Sequence, residues 1–320
     1  MQAKSLRKGR IKFAELPILI VAVALFIFLS VASPYFFTVT NIQNMLLQSV
    51  FIMLVGFGMT FVLTIGGIDL SVGSIIGISG AGAGLVIAAG ANTAVGFLAG
   101  VLVGGICGLI NGLLITKIKI APFLTTFAML SVLRGIVQLL TTNGSVTGFS
   151  VDSFLHLSQG YILSIPIPVI ITAVVFVILL FVYKFTSYGR YIVAIGYNED
   201  AAFMSGISVH KLTIWAYIVS GLAAGVSGVL LASRLASVPA TMGDSYEMNA
   251  IAVAVIGGTS MSGGKGSMYG AIIGGLILGM ITNGLDLLSV NQFYRQVIIG
   301  VVILIAVSLD RYNSQKSEKN

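Results

Sequence analysis

The chain alternates long apolar runs with short polar breaks, and the runs have the length of membrane crossings. A bilayer core of about 30 Å needs roughly 20 apolar residues in a helix, because each residue rises about 1.5 Å. About ten such runs fall near 16–37, 45–65, 73–90, 94–116, 122–141, 165–184, 212–232, 249–258, 268–285 and 293–309. The third and eighth are short or interrupted by glycine, so nine or eleven crossings remain alternatives. The pattern predicts an all-α polytopic membrane protein, with residues 1–320 forming one transmembrane domain.

Composition points the same way. Hydrophobic residues make up 57% of the chain, charged residues only 8%, and the mean hydropathy is +1.05. A soluble domain carries about 25% charged residues to keep its surface wetted. The 39 glycines suit closely packed transmembrane helices. A lone cysteine, Cys107, excludes a disulfide framework and a cysteine metal site. His156 and His210 are isolated and read as polar loop groups.

The net charge of +7 does not point to nucleic acid, because the basic residues flank apolar runs. A basic tail, 1–15, precedes the first run, which reads as a retained helix because it is long for a signal peptide and lacks a convincing small-residue cleavage site. With that tail inside, every Lys and Arg except Arg134, Arg234 and Arg295 falls in an internal connection or in the tails 1–15 and 310–320. The positive-inside bias therefore predicts cytoplasmic N- and C-termini. Two connections are long: an external loop, 142–164, without Lys or Arg, and an internal loop, 186–211.

Several polar clusters interrupt the apolar pattern. In the internal loop, Asn198 can cap a helix, Glu199 and Asp200 favour its positive end, Ala201 and Ala202 continue it, and Gly206 can stop it. This predicts a two-turn helix at the cytoplasmic surface, read either as a plain connector or as a knob fitting a groove on a cytoplasmic partner. The string Gly66–Ser74 joins two runs, and Asp69 is the one acid that the pattern places near the membrane interior. Asp69 and Ser71 read as a cap on the next helix. The segment, with Gly67, Asp69, Ser71 and Ser74, is also a candidate pathway element, since irregular backbone at membrane depth survives only inside protein or beside a water cavity. Arg134, within an apolar run, is the other costly charge and a further candidate residue of the translocation pathway. It is expected to pair with a helix end or with Asp69, or to snorkel to an interface. Gly96, Gly100, Gly104, Gly108 and Gly112 recur every fourth residue and predict a ridge that another helix approaches closely.

Catalytic and nucleotide chemistry finds no footing in the sequence. The stretch Gly257–Ser267 has a Gly-Lys pair, but Thr259 and Gly266 stand where a P-loop requires Gly and Ser or Thr. It reads as a flexible cytoplasmic turn. No nucleophile elbow, HExxH or proton-sharing carboxylate pair occurs, so the chain is not read as an enzyme, and no metal or cofactor is expected in it.

The strings GGIDLSVGS (66–74), NGLLITKIKIAPFLTTFAMLSVLRGI (111–136), TNGS (142–145), GRYIVAIGYNEDAAFMSGISVHK (189–211) and AIAVAVIGGTSMSGGKGS (250–267) resemble the sugar-permease family of bacterial ABC importers, of ribose, xylose, arabinose and galactoside type. The resemblance covers nearly the whole chain in order. It implies a homodimeric permease in the bacterial inner membrane, working with a cytoplasmic ATPase subunit and a periplasmic or lipid-anchored sugar-binding protein. ATP would be bound by the ATPase and not by this chain, and D-ribose is the expected sugar. Residues 198–206 match the place where such permeases present a coupling helix. The rival reading is a secondary sugar transporter or facilitator driven by an ion gradient, with Asp69 as its coupling group.

Overall fold

The computed structural model describes residues 15–141, 144–149, 151–291, 294, 297–302, 304–305 and 307–308. Among these, six helices are long and apolar enough to cross a membrane: α2 (Val39–Thr64), α4 (Thr93–Lys117), α5 (Pro122–Leu140), α7 (Ile167–Phe185), α10 (Val209–Leu235) and α12 (Met268–Leu287). Three shorter apolar helices accompany them: α1 (Leu16–Ala32), α3 (Val72–Ala88) and α11 (Tyr246–Ile256). Nine of the expected runs thus correspond to helices, and the last, 293–309, lies partly outside the described residues, as do the tails and Arg295.

The helix starts follow local chemistry. The Thr38 hydroxyl accepts from the Asn41 N–H at 3.3 Å, and the Asn92 side chain accepts from Val95 N–H at 2.9 Å. Ser267 does the same for Gly270 at 2.9 Å. Each satisfies a backbone donor that the first turn leaves unpaired. Helices α1, α5 and α7 instead begin with proline in the first turn, where its missing N–H costs nothing.

Helix α2 is the central post, buried along nearly all its length from Leu47 to Thr64. Helices α10, α11 and α12 pack around it, and α3 and α4 pack on the far side of α10. Glycine permits these approaches. A Cβ on Gly270 would strike the Gly257 carbonyl oxygen, and one on Gly279 would strike Ser49 Oγ. The side-chain amides of Asn41 on α2 and Asn283 on α12 bond to each other within the buried seam. Outward faces are apolar, as at Ile20, Phe28, Leu102, Val177 and Phe181, which suits lipid.

The two long connections are more ordered than their polarity suggests. Within 142–164 lies α6 (Asp152–Gln159), and β1 (Tyr161–Ile162) pairs antiparallel with β2 (Ile165–Pro166). Ser158 Oγ donates to the Leu230 carbonyl at 2.5 Å and Ser233 Oγ to the Phe154 carbonyl at 2.7 Å, fastening α6 to α10. The 186–211 connection is almost entirely helical, as α8 (Ser187–Tyr197) and α9 (Glu199–Met204).

Gly257–Ser267 is a bonded turn. Ser260 N–H donates to the Lys265 carbonyl, and Gly264 N–H donates to the Thr64 carbonyl at the end of α2, both at 2.9 Å. Positive φ at Gly258, Gly263 and Gly264 makes the turn possible.

Candidate functional site

At the end of the bundle that carries Thr64 and Lys117, α9 begins where the Asn198 side chain accepts from Ala201 N–H at 2.8 Å. Glu199 and Asp200 occupy its first turn, and Gly206 follows its end at φ 81°. Ala202 turns inward with Ile195 and Val209, while Phe203 and Met204 point outward. One turn and a half of helix therefore presents an acidic start and an apolar, exposed finish. Beside it lies a cavity of about 590 Å³ lined by Gly66, Gly67, Lys119, Glu199, His210 and Tyr217, among others. The fold thus brings Gly67 and Glu199, more than a hundred residues apart, to the walls of one opening.

The rest of the Gly66–Ser74 string is sealed inside. Asp69 has no exposed surface. Its Oδ1 accepts from Ser71 N–H at 3.0 Å and from Ser71 Oγ at 2.6 Å, and its Oδ2 accepts from Ser220 Oγ at 2.9 Å. Asn111 Nδ2 donates to Ser71 Oγ at 2.8 Å, and Ser74 Oγ donates to the Leu130 carbonyl at 2.8 Å. Tyr217 and Thr126 both donate to the Ile68 carbonyl. Asp69 so organises the turn into α3 and ties it to α10, while Ser71 ties it to α4 and Ser74 and Ile68 tie it to α5. The Ser71 side chain itself makes no cap bond to α3. Three donors on one carboxylate leave it little to offer a passing substrate.

The glycines of α4 face α10 and α3. A Cβ at Gly104 would collide with the Gly221 carbonyl oxygen, one at Gly108 with the Tyr217 carbonyl oxygen, and one at Gly112 would lie 2.8 Å from Ile214 Cα. Gly100 meets Val229 and Ser79, and Gly96 meets Ile87 of α3. The ridge is a line of backbone-to-backbone contact within one chain.

Arg134 is not paired with Asp69. Its Nη1 donates to the carbonyls of Ala240 at 3.2 Å and Met242 at 2.8 Å, and its Nη2 lies 2.7 Å from Asp244 Oδ1. These partners belong to a non-helical segment between α10 and α11. The segment starts at Val238, which exchanges both N–H···O bonds with Val146 of the 142–164 loop, at 3.1 and 2.9 Å. It then descends along α3, with Met242 packed on Gly77 and Gly80 and Gly243 on Gly73. Gly243 at φ 83° and Ser245 at φ 67° turn it into α11.

Tyr246, the first residue of α11, packs against the cluster that Val50, Phe51 and Leu54 of α2 form with Val226 and Leu230 of α10. The other end of α11 reaches the Gly257–Ser267 turn beside Thr64. At about 1.5 Å per residue, the 11 residues of α11 cover only half of a bilayer core. The backbone ahead of it, 238–245, is not helical, and Arg134 satisfies its Ala240 and Met242 carbonyls.

The expectation that Asp69 is the one acid near the interior does not hold. Asp244 lies at the same break, and Glu247, in the first turn of α11, lies against Gly73. Sequence reading missed both because they precede the eighth apolar run and look like loop residues. The available signal was the shortness of that run, 249–258, which cannot span a bilayer without help from its flank.

The family model described as branched-chain amino acid transport system / permease component matches residues 41–307. The ribose import permease protein of Bacillus subtilis is 45% identical over 291 residues, covering 91% of this chain and 90% of that protein. The ribose import permease protein of Haemophilus influenzae is 39% identical over 300 residues, covering 93% of each. The D-allose transport system permease protein of Escherichia coli is 40% identical over 297 residues, covering 92% of this chain and 91% of that protein. No solved structure matches the chain. A bundle of apolar helices matched from α2 to residue 307 by one permease model and by several full-length relatives belongs to the branched-chain amino acid transport system / permease component family.

Proposed function

We propose that this chain is the membrane-spanning permease subunit of an ATP-binding-cassette importer for a neutral sugar, D-ribose first. The similarity to ribose import permeases over nine-tenths of the chain carries this reading. The chain sits in the bacterial inner membrane with Lys117, Lys119, Lys184, Arg190, Lys211 and Lys265 on the cytoplasmic side, as the positive-inside bias requires. Both termini are cytoplasmic, and there are about ten crossings.

In this reading α9 is the coupling helix. Its acidic first turn and the exposed Phe203 and Met204 offer charge and apolar area to a groove on a separate ATPase subunit. The adjoining cavity lets such a partner reach the turn at Gly66 and Gly67. A sugar-binding protein docks on the opposite side, over α6 and the β1–β2 hairpin, and a second copy of the permease completes the pathway. ATP binds to the ATPase, and its binding and release bias the permease between inward- and outward-open states, since a ligand shifts an equilibrium only through its preference for one state. The chain's part is transport, not catalysis.

An ion-gradient-driven transporter would need a titratable group that its ion can reach. Asp69 is closed off and already accepts three hydrogen bonds, which weighs against that rival.

The test is uptake of labelled D-ribose into proteoliposomes, with the ATPase and binding protein encoded beside this chain added or omitted, and ionophores present. Uptake is expected only with ATP and both partners, undiminished by ionophores. Uptake by the permease alone that ionophores abolish would sink the importer reading.

A further inference from the structure

A neutral sugar crossing an apolar bundle needs partners for its hydroxyls at mid-depth, and the break between α10 and α11 gathers several. Asp244 is 53% exposed although its carboxylate is anchored to Arg134, which is only 15% exposed. Thr241, Ser245 and Met248 are exposed on the same short stretch. Its level follows from Tyr246, which packs on the cluster that Val50, Phe51 and Leu54 of α2 form with α10, and from Gly243 against the first turn of α3. Nearby α5 surface exposes Val132, Ile136 and Leu139 together with Ser131 and Gln138, so the patch is a polar island that extends onto α5 within an apolar surround.

Such an island cannot face hydrocarbon. An exposed carboxylate at that depth is strongly disfavoured, and irregular backbone there is tolerated only inside protein or against a water-filled cavity. A dry contact with another chain would demand a full set of partners for Asp244 and the neighbouring hydroxyls. Water and a sugar meet the same demand without fixed geometry. The Arg134 guanidinium is already engaged by Ala240, Met242 and Asp244, so it steadies the segment while the carboxylate keeps lone pairs for hydroxyl donors. Met248 adds an apolar surface for the C–H side of a pentose.

We propose that Thr241, Asp244, Ser245 and Met248 form the mid-depth lining of a water-filled sugar pathway, closed on its open side by a second copy of the chain. Asp244 accepts hydrogen bonds from the sugar hydroxyls as the sugar passes. This rests on the importer reading above and assigns its path to the α10–α11 break, away from Asp69.

The experiment uses the complete transporter in proteoliposomes, with Thr241→Cys, Ser245→Cys or Val177→Cys in the permease and the parent chain as background for buried Cys107. A charged, membrane-impermeant methanethiosulfonate reagent is applied without nucleotide and with ATP held bound. Cysteines at 241 and 245 are expected to react at least tenfold faster than the one at 177 in one of the two states. Labelling them is expected to cut ribose uptake at least tenfold. Two unreactive cysteines in both states, with unlabelled ATP-driven uptake intact, would overturn the pathway and leave the importer standing. Absence of ATP-driven uptake in the unlabelled parent would overturn the importer reading and the sugar path with it. Because Thr241 and Ser245 are exposed, the two substitutions are independent small changes, and failure of one to fold leaves the other to decide.

Discussion

Asn41 Nδ2 donates to Asn283 Oδ1 and Asn283 Nδ2 donates back to Asn41 Oδ1, each at 2.9 Å. The second hydrogen of Asn41 Nδ2 goes to the Phe36 carbonyl, also at 2.9 Å. The pair therefore ties α2 to α12 and to the turn before α2. Truncating one partner leaves a buried amide unpaired, so Asn283→Leu is expected to destabilise the protein by about 1–3 kcal/mol. The double change Asn41→Leu/Asn283→Leu should cost less than the two single costs added, with a coupling of about 0.6–1.7 kcal/mol. Denaturant unfolding of the detergent-solubilised permease, run as a double-mutant cycle, reads this directly. Strict additivity would mean that the two amides do not support each other.

Two glycines of adjacent helices should answer substitution in opposite ways. Gly104→Leu has no room, because even its Cβ meets the Gly221 carbonyl and the Gly225 backbone, and folded protein should be lost. Gly135→Ala, on α5, has nothing within 4 Å of the new Cβ. It should be tolerated and raise helix stability by about 0.5–1 kcal/mol. Size-exclusion profiles and melting curves of the two variants separate these outcomes.

Charge reversal at α9 tests coupling. Glu199→Lys together with Asp200→Lys removes the acidic first turn while leaving the Asn198 cap in place. Membrane insertion should be normal, and ATP-driven uptake should fall at least tenfold. Normal uptake would take the coupling role away from α9.

Asp69 should behave as a structural acceptor. Asp69→Ala leaves the Ser71 and Ser220 donors without their partner and should cost about 1–3 kcal/mol. Asp69→Asn keeps one acceptor oxygen and should retain most uptake. A well-folded Asp69→Asn permease without uptake would return Asp69 to the transport step.

What the sequence discloses depends on how local the cause is. The α9 helix is legible because Asn198, Glu199, Asp200 and Gly206 carry its start and stop within a few positions. The α4 ridge is legible because the four-residue glycine period is a surface in itself, although nothing in the string names α10 as its partner. Arg134 shows the limit. Its cost is visible, but its partners lie more than a hundred positions away in a segment with no pattern of its own. Amphipathic α6 and α8 are hidden because their polar faces resemble loops, and their apolar faces matter only against α10, α2 and α7.

The bridge between Val146 and Val238 has a mechanical consequence. A single β-bridge pins the outer loop to the head of the descending segment, and Asp244 lies six residues further along that open chain. A protein that grips the loop from outside holds a ripcord whose far end is the polar island. Force applied to the loop from outside is thereby handed to the same short stretch that Arg134 anchors.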